Sequence, residues 1–218
     1  MSKKQFMKNI VISIIDGDQD KIQESARDAL KANIDPLEVV ELGLSKGMAI
    51  VGESFEQGES FLPELLMAAA TFNAAMEILM PEIEAQNKEI PKAGTVLIGT
   101  VKGDVHNLGK NIVSMVLETN GFSVVDIGVD VPSLNFIEEA RKVKADVIAL
   151  SSLMTTTMPS QKEIIEILEE KNLRNEYFVI VGGGPVSQQW ADEIGADGFG
   201  KTAVDAVDLI KRLLSQRD

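Results

Sequence analysis

The sequence predicts an α/β protein in two parts: a helical bundle over residues 1–90, then a doubly wound parallel sheet of five strands over residues 91–218. Three observations carry that prediction. Up to about Asn87 the apolar residues recur at helical spacing. From Thr95 onward short apolar runs alternate with longer amphipathic stretches, the pattern of strand–helix–strand crossovers. Between the two lies Asn87 to Gly94, a polar stretch with Pro91 and Gly94 that reads as a linker.

In the first part, Ile10, Val11, Ile14 and Ile15 form one apolar face, closed by Asp16-Gly17-Asp18. Ile22, Ala26, Ala29 and Leu30 form a second. Asp35-Pro36 reads as an N-cap followed by a first-turn proline, after which Leu37, Val40, Leu44 and Met48 repeat at helical spacing. Pro63 opens a further helix with Leu65, Ala69, Phe72, Met76 and Leu79 on one stripe. Pro81 is expected to kink or end it, because proline lacks a donor and its ring clashes with the preceding turn. Four or five helices with short links suit a small bundle. The stretch from Val51 to Leu65 reads, on its own residues, as a turn whose aromatics close the bundle core.

In the second part, the expected strands are Thr95–Thr100, Ser123–Ile127, Asp146–Ser151, Tyr177–Val181 and a short one at Gly198–Phe199. The expected helices lie near Leu108–Thr119, Ser133–Lys142, Pro159–Glu170, Ser187–Ile194 and Ala203–Ser215. Five such units fit a flavodoxin-like sheet, which binds ligands at the carboxyl ends of its strands.

Composition narrows the function. Hydrophobic residues are 44% and charged residues 25%, an ordinary globular balance that supplies a full core. The net charge of -13 argues against nucleic acid and against an anionic membrane surface, since phosphate binding needs clustered Lys and Arg. Cysteine is absent and histidine occurs once. That excludes disulfides, thiolate nucleophiles and zinc sites built from this chain's own Cys and His, so a metal held here must bring most of its own ligands. No apolar run reads as long enough to span a bilayer and the N-terminus lacks a signal-peptide pattern, so the expected location is cytoplasmic.

Three loops at strand ends stand out. The first, Gly103-Asp104-Val105-His106-Asn107-Leu108-Gly109-Lys110, holds the single histidine. On position alone a loop histidine is a surface or packing residue, and Asp104 a turn or capping residue. Equally, an Asp taking the proton of one ring nitrogen would orient the other toward a metal and make it a better donor. The second loop, Ser151-Ser152-Leu153-Met154-Thr155-Thr156-Thr157, is rich in hydroxyls, which on their own read as caps for the next helix. The third, Gly182-Gly183-Gly184-Pro185, is a glycine run that lacks the Lys and Ser/Thr of a P-loop and the full dinucleotide fingerprint. Asp126 and Asp130 read as surface or turn residues, Trp190 and Tyr177 as packing.

The Asp-x-His-x-x-Gly spacing of Asp104, His106 and Gly109 resembles the corrinoid-binding signature of cobalamin-dependent methyltransferases. The longer string from Val101 to Val113 resembles the cobalamin module of methionine synthase. It is equally similar to the small corrinoid proteins of methanol, methylamine and methoxy-compound methyltransferase systems. The resemblance runs from about Asp35 to the end. It implies a helical cap domain over 1–90 and a Rossmann-like cobalamin-binding domain over 91–218. The implied cofactor is a cobalamin-type corrinoid, cycling between methylcobalamin and cobalt(I) forms and bound base-off, His-on. His106 would be the metal ligand, with Asp104 behind it and Thr157 behind Asp104. These three are the candidate catalytic residues.

By the same resemblance, Gly103, Val105, Asn107, Leu108 and Gly109 would line the lower face of the cofactor. Ser151, Leu153 and Thr155 would meet its nucleotide tail. Gly182, Gly183 and Gly184, with Phe199 and Gly200 at the next strand end, would clear a slot for that tail. Phe55, Leu62 and Leu65 would cover the upper face, shielding the reactive bond from water. Thr157 stands where methionine synthase has serine, and Ser152 where it has glycine. The implied function is that of a methyl carrier. A substrate-specific methyltransferase would load it from methanol, a methylamine, a betaine or an aryl methyl ether. A second methyltransferase would unload it to a thiol or a tetrahydropterin, and a reductive activase is a further possible partner. The rival readings are the small subunit of an adenosylcobalamin mutase, which would lack the Phe55–Leu65 segment, and a cobalamin-dependent sensor, which would need a basic DNA-binding module.

Overall fold

The computed structural model of the chain describes residues 2–86 and 93–217. The expected linker, Asn87 to Gly94, lies outside the described residues up to Lys92. The chain divides into two compact units, Met1–Pro91 and Lys92–Asp218.

The first unit is all helical. Helix α1 (Lys3–Asp16) is capped by Ser2 and stops at Gly17, whose left-handed φ of 67° suits glycine. Its buried face is Phe6, Met7, Ile10 and Ile14, while the expected Ile15 is exposed. Asp18 caps α2 (Gln19–Lys31), accepting from Lys21 N at 3.0 Å. Asp35 caps α3 (Pro36–Val39), with Pro36 in its first turn as expected. The helical path continues through a π-helical stretch, Val40–Ser45, into α4 (Lys46–Glu56). That wider turn was not visible in the sequence pattern. It rephases the stripe, so Val39, Leu44, Met48 and Val51 are buried while Leu37 and Val40 are half-buried. Gly43 and Gly47 let this path lie against α1: a Cβ there would meet Ile10 at 2.8 Å and Ile14 at 2.7 Å.

Helix α5 (Leu62–Ala85) corrects two expectations. Of the kink or end expected at Pro81, the end does not occur, and the helix runs on to Ala85. Pro81 and Glu77 are both exposed, so the carbonyl left without its donor is open to water. It also holds an apolar stretch, Leu62–Ile83, long enough by length and composition to cross a membrane. Much of that apolar surface is already used: Leu65, Ala68, Ala69, Phe72, Ala75, Leu79 and Ile83 are all buried, the mark of a core helix.

The second unit is a five-stranded parallel sheet in the order β2-β1-β3-β4-β5. Its elements are β1 (Thr95–Thr100), α6 (Leu108–Thr119), β2 (Ser123–Asp126), α7 (Ser133–Val143), β3 (Val147–Ser151), α8 (Pro159–Glu170), β4 (Phe178–Gly182), α9 (Gln188–Ile194), β5 (Gly198–Phe199) and α10 (Ala203–Leu214). Strands β1, β3 and β4 are buried along most of their length, as strands covered on both faces must be. Leu97, Ile148, Leu150, Val179 and Val181 pack on one face against Phe136, Ile137, Ile164, Leu168 and Ile194 from α7, α8 and α9. Helices α6 and α10 pair with each other on the opposite side. Because β2 and β3 flank β1, the chain reverses its winding between β1 and β3. Loops leaving β1 and β3 therefore rise side by side, at the place where such sheets take ligands.

Candidate functional site

The loop after β1 is tied down before it reaches the histidine. Gly103 takes a φ of 83°, open to glycine at little cost. Its N–H donates to Asp130 Oδ1 at 2.7 Å, and Asp130 N donates back to Asp104 O at 2.8 Å. Thr100 Oγ1 donates to His106 O at 2.8 Å. Asp104 is fully buried, and every contact to its carboxylate is a donor. Oδ1 accepts from His106 N at 3.0 Å and faces His106 Nδ1 at 2.7 Å. Oδ2 accepts from Leu153 N at 2.7 Å and from Thr157 Oγ1 at 3.0 Å. Burial pushes the carboxyl pKa up, but the donors from His106 N, Leu153 N, the His106 ring and the Thr157 hydroxyl outweigh it and hold the value at about 2. Asp104 is therefore ionised across the physiological range, and the imidazole carries its Nδ1 hydrogen toward it.

That leaves Nε2 as the outward end of a fixed ring. The His106 side chain is 48% exposed, and Nε2 has no hydrogen-bond partner among the described residues. Val105 (67%) and Leu108 (63%), on the same loop, and Leu153 (48%), whose N–H reaches Asp104, are exposed apolar groups that water does not favour. A Cβ built on Gly109 would touch nothing within 4 Å. Asn107 precedes α6 and its carbonyl accepts from Asn111 N. The arrangement is a rigid nitrogen donor with a free lone pair, set in an apolar rim.

The structure thus brings Asp104, His106 and Thr157 together, with Gly103, Val105, Asn107, Leu108, Gly109 and Leu153 around them. The extra methyl of Thr157 fits, since its Cγ2 lies over Gly103, 3.4 Å from where a Cβ would stand. Ser151 ends β3 between Thr100 and Gly182, and Thr155 is exposed on the loop beyond.

The glycine loop has a use within the protein itself. A Cβ on Gly183, whose φ is 126°, would lie 1.8 Å from Ser152 O. On Gly182 it would meet Gly200 O at 3.3 Å, on Gly184 Leu153 Cδ1 at 3.1 Å, and on Gly200 Ala206 Cβ at 2.9 Å. Phe199 is half-buried beside them. In the helical unit Phe55 and Leu62 are half-buried, whereas Leu65 is buried.

Three groups escaped the sequence reading. Asp130 is no idle turn residue: it anchors Gly103. Asp126 pairs with the buried ammonium of Lys110, joining β2 to α6. Ser152 is fully buried against Thr157, its Oγ 2.7 Å from Thr157 Oγ1. An Asp followed by Val-Pro hinted at a turn at Asp130, but its partner is 27 residues away, and only the strand register reveals it.

Sheet order, histidine loop and family models agree on the class of protein. One B12 binding domain model matches residues 94–208 and a second matches residues 7–80. The chain belongs to this B12-binding corrinoid protein family. Trimethylamine corrinoid protein 1 of Methanosarcina acetivorans is 46% identical over 213 residues, covering 98% of this chain and 99% of that one. Dimethylamine corrinoid protein 1 of the same organism is 45% identical over 218 residues, 99% and 100% of the two chains. In the solved methanol:cobalamin methyltransferase complex of Methanosarcina barkeri, one chain matches with a TM-score of 0.86 at 30% identity, over 98% of this chain and 81% of that one.

Proposed function

We propose that this chain is a corrinoid methyl carrier, loaded by a substrate-specific methyltransferase and unloaded by a second one acting on a thiol or a tetrahydropterin. The observation that carries the reading is the outward, unpartnered Nε2 of a ring whose other nitrogen is held by a buried carboxylate. A corrinoid would bring most of its metal's ligands with it, and one fixed protein nitrogen is what this chain has to add, so the residues present fit it. When bound, the cofactor supplies the cobalt–carbon chemistry. Everything else falls to the chain. His106 would hold the metal through Nε2, with the cofactor's own base displaced. Asp104 keeps the hydrogen on Nδ1 and so keeps the Nε2 lone pair free, and it raises the donor strength of the ring. Thr157 and Leu153 N hold Asp104 in place. Val105, Leu108 and Leu153 offer apolar surface to a flat macrocycle.

In the helical unit, Phe55 and Leu62 retain exposed surface to offer as a lid, whereas Leu65 is already buried. Relatives named for trimethylamine and dimethylamine favour a methylated amine as the donor. Neither rival reading finds support, because the relatives that match both chains almost end to end are corrinoid proteins named for methylated amines. The test is a cobalt(II) electron paramagnetic resonance spectrum of the corrinoid-loaded chain. Wild type should show splitting from one protein nitrogen, altered in pattern by nitrogen-15 labelling, and His106→Ala should lose it. The same splitting in His106→Ala would defeat the assignment. Methyl transfer from a panel of methylated amines and methanol, with the matching methyltransferases, tests the donor.

A further inference from the structure

The hydrogen-bond chain behind His106 does not end at Thr157. Thr157 Oγ1 has one hydrogen and three oxygen neighbours: Ser152 Oγ at 2.7 Å, Met154 O at 2.9 Å and Asp104 Oδ2 at 3.0 Å. Ser152 Oγ has two, Thr157 Oγ1 and, at 3.2 Å, Met154 O. The Met154 carbonyl already accepts from the backbone N–H groups of Thr157 and Met158. If Thr157 donated to Ser152 or to Met154, its oxygen would face the Asp104 carboxylate with no hydrogen between them. If Ser152 donated to Met154 while Thr157 donated to Asp104, two hydroxyl oxygens would touch at 2.7 Å without a hydrogen. A single arrangement satisfies all the short contacts and puts the strongest donor on the anion: Ser152 to Thr157 to Asp104.

We propose that Ser152 is a positioning residue that moderates the pull of Asp104 on the imidazole, as the far end of a chain running Ser152–Thr157–Asp104–His106. By donating to Thr157 Oγ1, Ser152 makes the Thr157 hydroxyl a better donor to Oδ2. The carboxylate then spends more of its charge on Oδ2 and draws less on the Nδ1 hydrogen. Nε2 is left a weaker donor than Asp104 alone would make it, and easier to detach. This consequence at the metal rests on His106 being the ligand; the hydrogen-bond chain itself does not. Gly183 is what admits the device, because any side chain there would strike the Ser152 carbonyl.

The single histidine makes the test direct. In the full-length chain without cofactor, labelled with nitrogen-15 in histidine, the Nδ1 hydrogen is read by NMR at one mildly alkaline pH. Ser152→Ala should move it downfield, toward a stronger bond to Asp104. Thr157→Val should move it further the same way. Ser152→Ala added to Thr157→Val should then change nothing, because the chain is already cut, whereas a mere packing effect would add. No shift in Ser152→Ala, an upfield shift, or additive shifts would overturn the proposal. Neutron diffraction of the deuterated wild type needs no variant: deuterium on Thr157 aimed at Ser152 or Met154 would overturn it equally.

In the corrinoid-loaded cobalt(II) protein, studied where wild type is partly ligated, Ser152→Ala should raise the ratio of nitrogen-bound to nitrogen-free metal roughly two-fold. A lowered or unchanged ratio counts against the moderating role. A wild type without nitrogen splitting would remove the ligand reading, and the NMR result would still decide the hydrogen-bond chain.

Discussion

The loops after β1 and β3 can be set against the loop after β4. All three rise from the carboxyl ends of neighbouring strands. The first two meet through a buried charge, and they are fixed by donors: two backbone N–H groups, a ring and a hydroxyl converge on Asp104. The third carries no charge, and it is fixed by the lack of side chains: Gly182 and Gly183 let backbone lie against backbone, and Gly184 makes room for the Leu153 side chain. One region is specific because each polar group has a partner, the other because nothing is in the way. They should therefore fail differently. Removing a polar partner should act first on chemistry and acid sensitivity, and adding a methyl group to the glycine loop should act first on stability.

Gly183→Ala is the largest expected effect. A Cβ 1.8 Å from a backbone oxygen, at a φ of 126°, combines overpacking with backbone strain. The loss should be about 3 kcal/mol or more, read by denaturant unfolding through the fluorescence of Trp190, the only tryptophan, which sits on α9 of the sheet unit. A variant as stable as wild type would show that the glycine loop has room to move and would end the comparison.

Where the sequence was legible, the interactions were local. Strands β1 and β5 and helices α6 and α8 have the expected limits, because their apolar runs and periodicities are complete within the element. The Asp104–His106 pair was legible too, since its members lie two positions apart. What stayed hidden depends on register. Asp130 finds Gly103, and Ser152 finds Thr157 inside a turn built by the glycine loop beside it. The π-helical stretch at Val40–Ser45 was hidden for a different reason: it goes with the close approach of Gly43 and Gly47 to Ile10 and Ile14 on another helix, which no local periodicity records.

Acid should reveal the charged region next. The Asp104 carboxyl, lowered from an ordinary 3.8 to about 2, is more acidic folded than unfolded. Its contribution is thus fully present above pH 3.8 and is lost as the pH falls toward 2. The amount is about 2 kcal/mol. Asp104→Asn should remove that portion of the acid dependence of stability, measured by the same Trp190 fluorescence between pH 2 and 5. An unchanged slope in the variant would mean that other carboxylates dominate and that the donors around Asp104 do not hold its charge.

Thr157 gives the finest test, and in its serine variant the smallest effect, because its two halves belong to the two principles. Its hydroxyl serves the charged region and its methyl packs over Gly103. Thr157→Val keeps the methyl and removes a donor to a buried anion, which should destabilise the sheet unit by about 1–3 kcal/mol. Thr157→Ser keeps the donor and removes one methyl group, which should stay within about 1 kcal/mol of wild type. If the serine variant were the worse of the two, packing rather than hydrogen bonding would hold the β1 and β3 loops together. The region around His106 would then be built like the glycine loop after all.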